Sequence, residues 1–290
     1  MGLSIGILTW KRLDILRQTL VSYRDNGLLD LSDDVTIFFN EIGEEEIALA
    51  KEFNVKYLGN EKNVGIQNAY KSLVDNARNE YFMFLENDWY LVENSIVTKK
   101  RLDASIALLE ENVVDVVRLR HRIYFGRPCR IVYRNKKNPH LTDKSDLAFV
   151  PSISDNPCAL FKEITEKKID DETYYFVGPK NTFWTNNPCI FKTEFIKKML
   201  YLNLPQPTNA NKIHKKYKTT IANIAYEGLM GLYWQKSDHT TALSPGLFMH
   251  LDYIEDFKPH RKYPAILVQI FTWFVPSEKR RKYFRSKYSR

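Results

Sequence analysis

Four short apolar runs separated by amphipathic stretches open the chain, and this alternation limits its folding choices most. LSIGILT, Leu3–Thr9, has the length and β-branched content of a buried strand. In the following KRLDILRQTLVSY, Leu13, Leu16, Leu20 and Tyr23 recur at helical spacing with charges between them. Asp25-Asn26-Gly27 then marks a turn. VTIFF, 35–39, is a second buried strand, and EEEIALAKEF predicts a helix with three acids where its dipole favours them. Residues 55–58 predict a third strand. Asn63-Val64-Gly65 opens a helix lined on one side by Ile66, Ala69, Leu73 and Ala77, and Tyr81–Glu86 is a fourth strand. The order βαβαβαβ, with near-continuous apolar strands, predicts an α/β fold whose mostly parallel central sheet is flanked by helices.

In such a sheet, ligands bind outside the carboxyl ends of the strands. The residues just past those ends are Thr9-Trp10-Lys11, Asn40-Glu41, Gly59-Asn60 and Glu86-Asn87-Asp88. The last group is notable because carboxylates are costly to desolvate without a positive partner. No Gly-x-Gly-x-x-Gly follows the first strand, and no phosphate-cradling Gly-x-x-x-x-Gly-Lys loop occurs. Phosphates at this edge would need a divalent cation held by acids instead.

The segments SIGILTWKR, NVGIQNAYKSLVDNARNEYFMFLENDW, NNPCIFKTEF and GLFMHLD together resemble glycosyltransferases of the GT-A fold, nearest to family 2. The resemblance spans roughly residues 3–256. It implies a GT-A domain over 1–260, with a nucleotide-sugar half to about residue 100 and an acceptor half over 101–260. A C-terminal helical tail would follow over 261–290.

The resemblance also implies site residues. Glu86-Asn87-Asp88 falls on the family's Asp-x-Asp position, with Glu in the first place, and would bind metal and diphosphate through Asp88 and Glu86. His250 would complete the metal site. Thr9 and Arg12 would lie by base and ribose, and Glu41, with Asn40 beside it, would hold the uracil or ribose. Asn63 and Gly65 would let the backbone approach the nucleotide. Glu227 is the implied catalytic base, with Asp252 as its substitute. Trp184, Asn186 and Asn187 would face the acceptor.

The activity implied is metal-dependent transfer, with inversion, of a sugar from a nucleotide sugar to a glycan or lipid-linked glycan. A UDP-sugar is the first expectation for the donor. The cofactor would be Mn²⁺ or Mg²⁺, and imidazole beside carboxylate suits Mn²⁺ better. Two other readings stand beside it: a non-catalytic glycan-binding protein on the same fold, and a sugar-1-phosphate nucleotidyltransferase. The second should carry a glycine-rich basic loop after the first strand, which TWKRLD lacks.

Composition bounds the partners. Residues 277–290 hold seven Lys or Arg and one acid, and so carry +6 of the formal +8. The positive charge is therefore a tail rather than a face, which argues against nucleic acid. Large apolar residues over 263–275 precede it, so the tail suits an anionic membrane surface. The N-terminus places its charge after its apolar run, which is not signal-peptide order, and Gly6 stands where myristoylation needs Ser or Thr. No run of about 20 apolar residues occurs. Cys129, Cys158 and Cys189 show no metal or redox spacing. A cytoplasmic protein, peripheral on the cytoplasmic membrane face, is the expectation. His121, His140, His214, His239 and His260 read as surface or structural residues.

Overall fold

The computed structural model describes residues 2–124, 156–182, 184–202, 230–231 and 233–251. Strand β1 (Leu3–Thr9) is buried at every position and lies between β2 (Asp34–Asn40) and β4 (Tyr81–Glu86), parallel to both. A strand covered on both faces must be apolar throughout, as LSIGILT is. Helix α1 (Leu13–Asp25) buries Leu16, Leu20 and Tyr23, as their spacing predicts. It ends where Gly27, at φ 73°, lets the Leu28 N–H donate to Tyr23 O at 2.8 Å. Helix α2 (Glu44–Glu52) carries its three acids in the first turn, and Glu46 accepts from the Gly43 N–H at 3.0 Å.

Strand β3 (Lys56–Asn60) falls where the third strand is expected, shifted toward the C-terminus. Among the described residues it pairs with β2 alone and is mostly exposed, because it forms one edge of the sheet. A charged edge resists pairing with other chains. Helix α3 (Gly65–Asp75) buries Ala69, Tyr70, Leu73 and Val74.

After β4 come β5 (Trp89–Leu91), α4 (Ser95–Glu110), β6 (Val116–Arg120), α5 (Pro157–Leu160), β7 (Thr165–Ile169), β8 (Glu172–Val177), β9 (Cys189–Lys192), α6 (Thr193–Leu200) and β10 (Thr241–His250). The strand order is β3-β2-β1-β4-β9-β6-β10-β8-β7, and β5 pairs with β10. The half up to β4 is parallel throughout, while β9 inserts antiparallel between β4 and β6.

Alternate residues of the strands feed two apolar layers. Ile5, Ile7, Met83 and Leu85 pack with Leu16, Leu20 and Leu102 on one face. Leu8, Phe82 and Phe84 pack with Tyr70, Leu73 and Ile196 on the other. Burying one such side chain contributes about 1.5–3 kcal/mol.

Strand β10 changes partners along its length. Thr241 to Leu243 pair with β6 and β8, and a register shift follows before Phe248 to His250 pair with β5. Within that shift Gly246 adopts φ 88°, and an added Cβ would stand 2.2 Å from Arg120 O. Only glycine meets both demands. Gly246→Ala should therefore destabilise the protein by about 3 kcal/mol, lowering Tm by roughly 6–12 °C. Calorimetry would check this, and a Tm equal to that of the unsubstituted protein would contradict the bulge assignment.

Candidate functional site

The carboxyl ends of β1, β2 and β4 meet at one edge, where the chain leaves regular geometry. Lys11 and Arg12 after β1, and Glu41 after β2, all have positive φ, at 55°, 57° and 82°. Such backbone costs about 1–3 kcal/mol per residue and persists where contacts over-determine it. Here the contacts are ion pairs. Lys11 Nζ lies 3.2 Å from Glu41 Oε2, and Arg12 Nη1 lies 3.3 Å from Asp88 Oδ2.

Asp88 is the pivot. It is only 8% exposed, and the turn that carries it is held from below by α1. Thr19 Oγ1 donates to Asn87 O at 2.8 Å, and the buried Tyr23 hydroxyl donates to Trp89 O at 2.7 Å. Burial pushes the Tyr23 phenol well above its ordinary pKa, and the nearby Asp88 charge adds to that. On the far side, the Leu251 N–H donates to Asp88 O at 2.8 Å. His250 Nε2 stands 3.6 Å from Asp88 Oδ2. The His250 ring meets Trp89 edge-on at 4.8 Å, and Arg120 covers Trp89 at 5.3 Å. Asp88 Oδ1, buried, has no hydrogen-bond partner.

The other expected residues divide. Thr9 is buried, and its Oγ1 donates to Lys11 O at 3.3 Å. Asn40 Oδ1 accepts from the Val64 N–H at 2.9 Å, and Asn63 Oδ1 accepts from the Gly65 N–H at 2.8 Å. Both asparagines thus shape the start of α3, where Gly65 needs its φ of 80° but has open space where a Cβ would be. Glu86 ends β4 on the same sheet face as Phe82 and Phe84, and its charge is felt at the buried Cys189 thiol, which burial holds above its ordinary pKa. Among the described residues no three His, Cys, Asp or Glu side chains gather in a way that could hold a metal ion. The edge brings Asp88 and His250 together, and Glu86 does not join them as a third group.

Strand β9 runs antiparallel to β4 with Cys189 opposite Phe84, so Asn187 and Asn186 precede β9 at the end of the sheet where Glu86 closes β4 and Asn87 follows. Both are buried, at 9% and 6% exposure. Asn186 Oδ1 and Asn87 Nδ2 have no hydrogen-bond partner, leaving an acceptor and a donor at the same edge. Trp184 is a core residue, packed on Phe191 at 5.9 Å and on Trp234 at 5.8 Å. Glu227 and Asp252, the expected base and its substitute, lie outside the described residues, as does the tail over 261–290.

Sequence reading missed the network that aims β10. Arg101 donates twice to Glu172, from Nε at 2.9 Å and from Nη2 at 2.6 Å. Its Nη1 donates to Glu93 Oε1 at 2.8 Å and to Gly246 O at 2.6 Å. His121 Nε2 meets the same Glu93 oxygen at 2.8 Å. His121 Nδ1 accepts from the N–H groups of Ile123 and Tyr124, at 3.0 and 2.9 Å. With Nδ1 so engaged, Nε2 is the nitrogen that faces Glu93. An arginine within a buried helix face was the available signal. His239, packed on Trp234 at 5.3 Å, is structural, as read.

The His121 hydrogen bond, against partial burial and with Arg101, lowers Glu93 from 4.5 to about 2. A depressed carboxyl pKa adds stability above the unfolded value and loses it as pH falls. Thermal melts at stepped pH should therefore show a stability loss between about pH 4.5 and 2. In Glu93→Gln that loss should be smaller, from a lower starting Tm; identical slopes for both proteins would contradict the assignment.

No protein-family model matches the chain, and no curated protein matches it. Solved structures do. S. aureus TarS over residues 1–349 superposes with a TM-score of 0.50 at 14% identity, covering 100% of this chain and 73% of that one. A longer TarS structure gives the same TM-score and identity, covering 95% of this chain and 43% of that one. The chain thus spans less than half of that longer protein. The mannosyltransferase PcManGT from Pyrobaculum calidifontis, in complex with GDP-Man and Mn²⁺, aligns at a TM-score of 0.47 and 12% identity, covering 93% of this chain and 61% of that one. The fold is of the GT-A type, as the sequence led one to expect.

Proposed function

We propose that the chain is a metal-dependent glycosyltransferase, moving a sugar from a nucleotide-sugar donor to a glycan or lipid-linked glycan. The observation that carries this reading is Asp88, a buried carboxylate at the carboxyl end of a parallel strand with one oxygen free of hydrogen bonds. A buried carboxylate oxygen without a donor is costly unless a ligand supplies one. Asp88 and His250 form a donor set that fits a divalent ion completed by substrate phosphates, and the imidazole favours Mn²⁺ over Mg²⁺. Such an ion, when bound, neutralises charge on the departing diphosphate.

The chain's own residues take the remaining roles in this reading. Asp88 and His250 hold the ion, with Glu86 near the diphosphate or ribose. Thr9, Asn40 and Glu41 border the nucleoside pocket. The open backbone at Asn63 and Gly65 leaves room for the nucleotide. Asn87, Asn186 and Asn187 offer amides to sugar hydroxyls of donor or acceptor. Glu227, or failing it Asp252, takes the proton from the acceptor hydroxyl as it attacks, and direct attack inverts the anomeric centre. The donor nucleotide proposed first is UDP.

Among the described residues no helix is long and apolar enough to cross a membrane. We assign membrane attachment, at the cytoplasmic face, to the basic tail over 277–290.

Asp88→Asn should lower turnover about a hundredfold or more, assayed with Mn²⁺ and a panel of nucleotide sugars, while circular dichroism stays unchanged. Activity equal to the unsubstituted protein would remove the assignment. Deleting residues 277–290 should weaken partition onto vesicles containing phosphatidylserine by tenfold or more, since each Lys or Arg adds roughly 1 kcal/mol near an anionic surface. Equal partition would defeat the tail's role.

A further inference from the structure

Two buried amides, one just past β4 and one just before β9, each carry a polar atom with nothing to bond. Asn87 is 7% exposed and Asn186 6%, and neither Asn87 Nδ2 nor Asn186 Oδ1 has a hydrogen-bond partner. A buried polar atom left unpaired is costly, and native structures keep few of them. An idle donor and an idle acceptor at one end of the sheet suit a ligand that supplies both complements.

The backbone under both amides is anchored. Asn87 O accepts from Thr19 Oγ1 of α1 at 2.8 Å. The Asn187 N–H donates to Thr185 Oγ1 at 3.2 Å. Pro188 O accepts from the Leu119 N–H at 2.8 Å, which ties the Asn186 segment to β6. The amides therefore sit on a fixed frame before ligand arrives.

Asn87 is the chain neighbour of Asp88, which holds the ion in the functional reading. That ion grips the donor's diphosphate, and the sugar is bonded to the same diphosphate. An inverting attack brings the acceptor to the opposite face of the anomeric carbon. An amide next to Asp88 thus reaches the donor sugar rather than the acceptor. Asn186 stands at the same end of the sheet and shares that side.

We propose that Asn87 and Asn186 together read one hydroxyl of the transferred sugar. The hydroxyl oxygen accepts from Asn87 Nδ2, and its hydrogen is donated to Asn186 Oδ1. A hydroxyl fits because it donates and accepts from one atom, and so satisfies both amides. The donors admitted are nucleotide sugars that keep this hydroxyl, and deoxy sugars lacking it are refused. A deoxy sugar would leave both amides buried and unpaired, and a site built to bond a hydroxyl rejects its absence sharply. This rests on Asp88 as the metal-holding residue. It moves Asn186 from the acceptor side, where the family resemblance puts it, to the donor side.

Donor hydrolysis by the full chain with Mn²⁺ tests this. UDP- and GDP-hexoses are compared first, and then deoxy analogues of the preferred donor, one carbon at a time. One deoxy analogue should lose about a hundredfold or more in kcat/KM, beyond all the others. Asn87→Leu and Asn186→Leu keep the approximate size and remove the amide. Each should cut that loss about tenfold or more, at the same carbon. A ratio between two donors does not depend on how much of a variant is folded, so loss of fold cannot mimic the result. The double variant should cut the loss no further than the stronger single one, since both amides serve one hydroxyl. The shared hydroxyl is overturned, and the metal assignment survives, if no analogue is refused to that extent or if the two cuts add. The same follows if either variant fails to cut the loss, as when ordered water alone meets these amides, or if the variants respond at different carbons. If no donor is hydrolysed, or Asp88→Asn hydrolyses it as fast as the unsubstituted chain, the functional reading falls and the hydroxyl with it.

Discussion

A carboxylate closed off from water at the end of a parallel strand is the constraint around which this molecule is arranged. Asp88 cannot stay charged there without positive or donor groups facing it, and its neighbours are drawn from three separate parts of the chain. Arg12 comes from the turn after β1, and His250 from the last residue of β10. The backbone beneath is tied down by Thr19 and Tyr23 of α1. Each contact joins elements distant in sequence, so the carboxylate is held in place before any ligand arrives. That is the preorganisation a site for a charged ligand needs.

The second half of the sheet exists in part to deliver one imidazole. β10 begins as an inner strand between β6 and β8 and finishes beside β5, and the change happens at Gly246. The carbonyl of that glycine is gripped by Arg101, which Glu93 and Glu172 hold in turn. Arginine suits the position because one planar group can serve two carboxylates and a carbonyl together. A lysine would offer a point charge and lose the alignment. His121 meets the same Glu93 oxygen as Arg101.

How far the sequence could be read follows from the range of the forces involved. Strands β1, β2 and β4 and helices α1 and α3 were legible because apolar periodicity is a local signal, and Leu16, Leu20, Ala69 and Leu73 stand where that signal puts them. The exposed character of β3 was not, since a single lysine in 55–58 does not mark an edge and only the sheet order does. The rim location of Asp88 followed from the βα order alone. Its pairing with Arg12, across 76 residues, did not, because no local pattern encodes a tertiary ion pair. Trp184 is an acceptor-facing residue by the resemblance, and in the structure it is buried against Phe191 and Trp234. The Arg101 network was invisible because its members lie on α4, β8, β10 and the segments between.

The shift inside β10 makes chain length in that stretch as decisive as residue type. Side chains along a strand alternate between faces, so gaining or losing a single position between Leu243 and Phe248 would send the terminal imidazole to the opposite side of the sheet. Descendants of this chain can exchange many residues of β10 and still fold. They cannot lengthen or shorten it by one without turning the histidine away from the acid it faces.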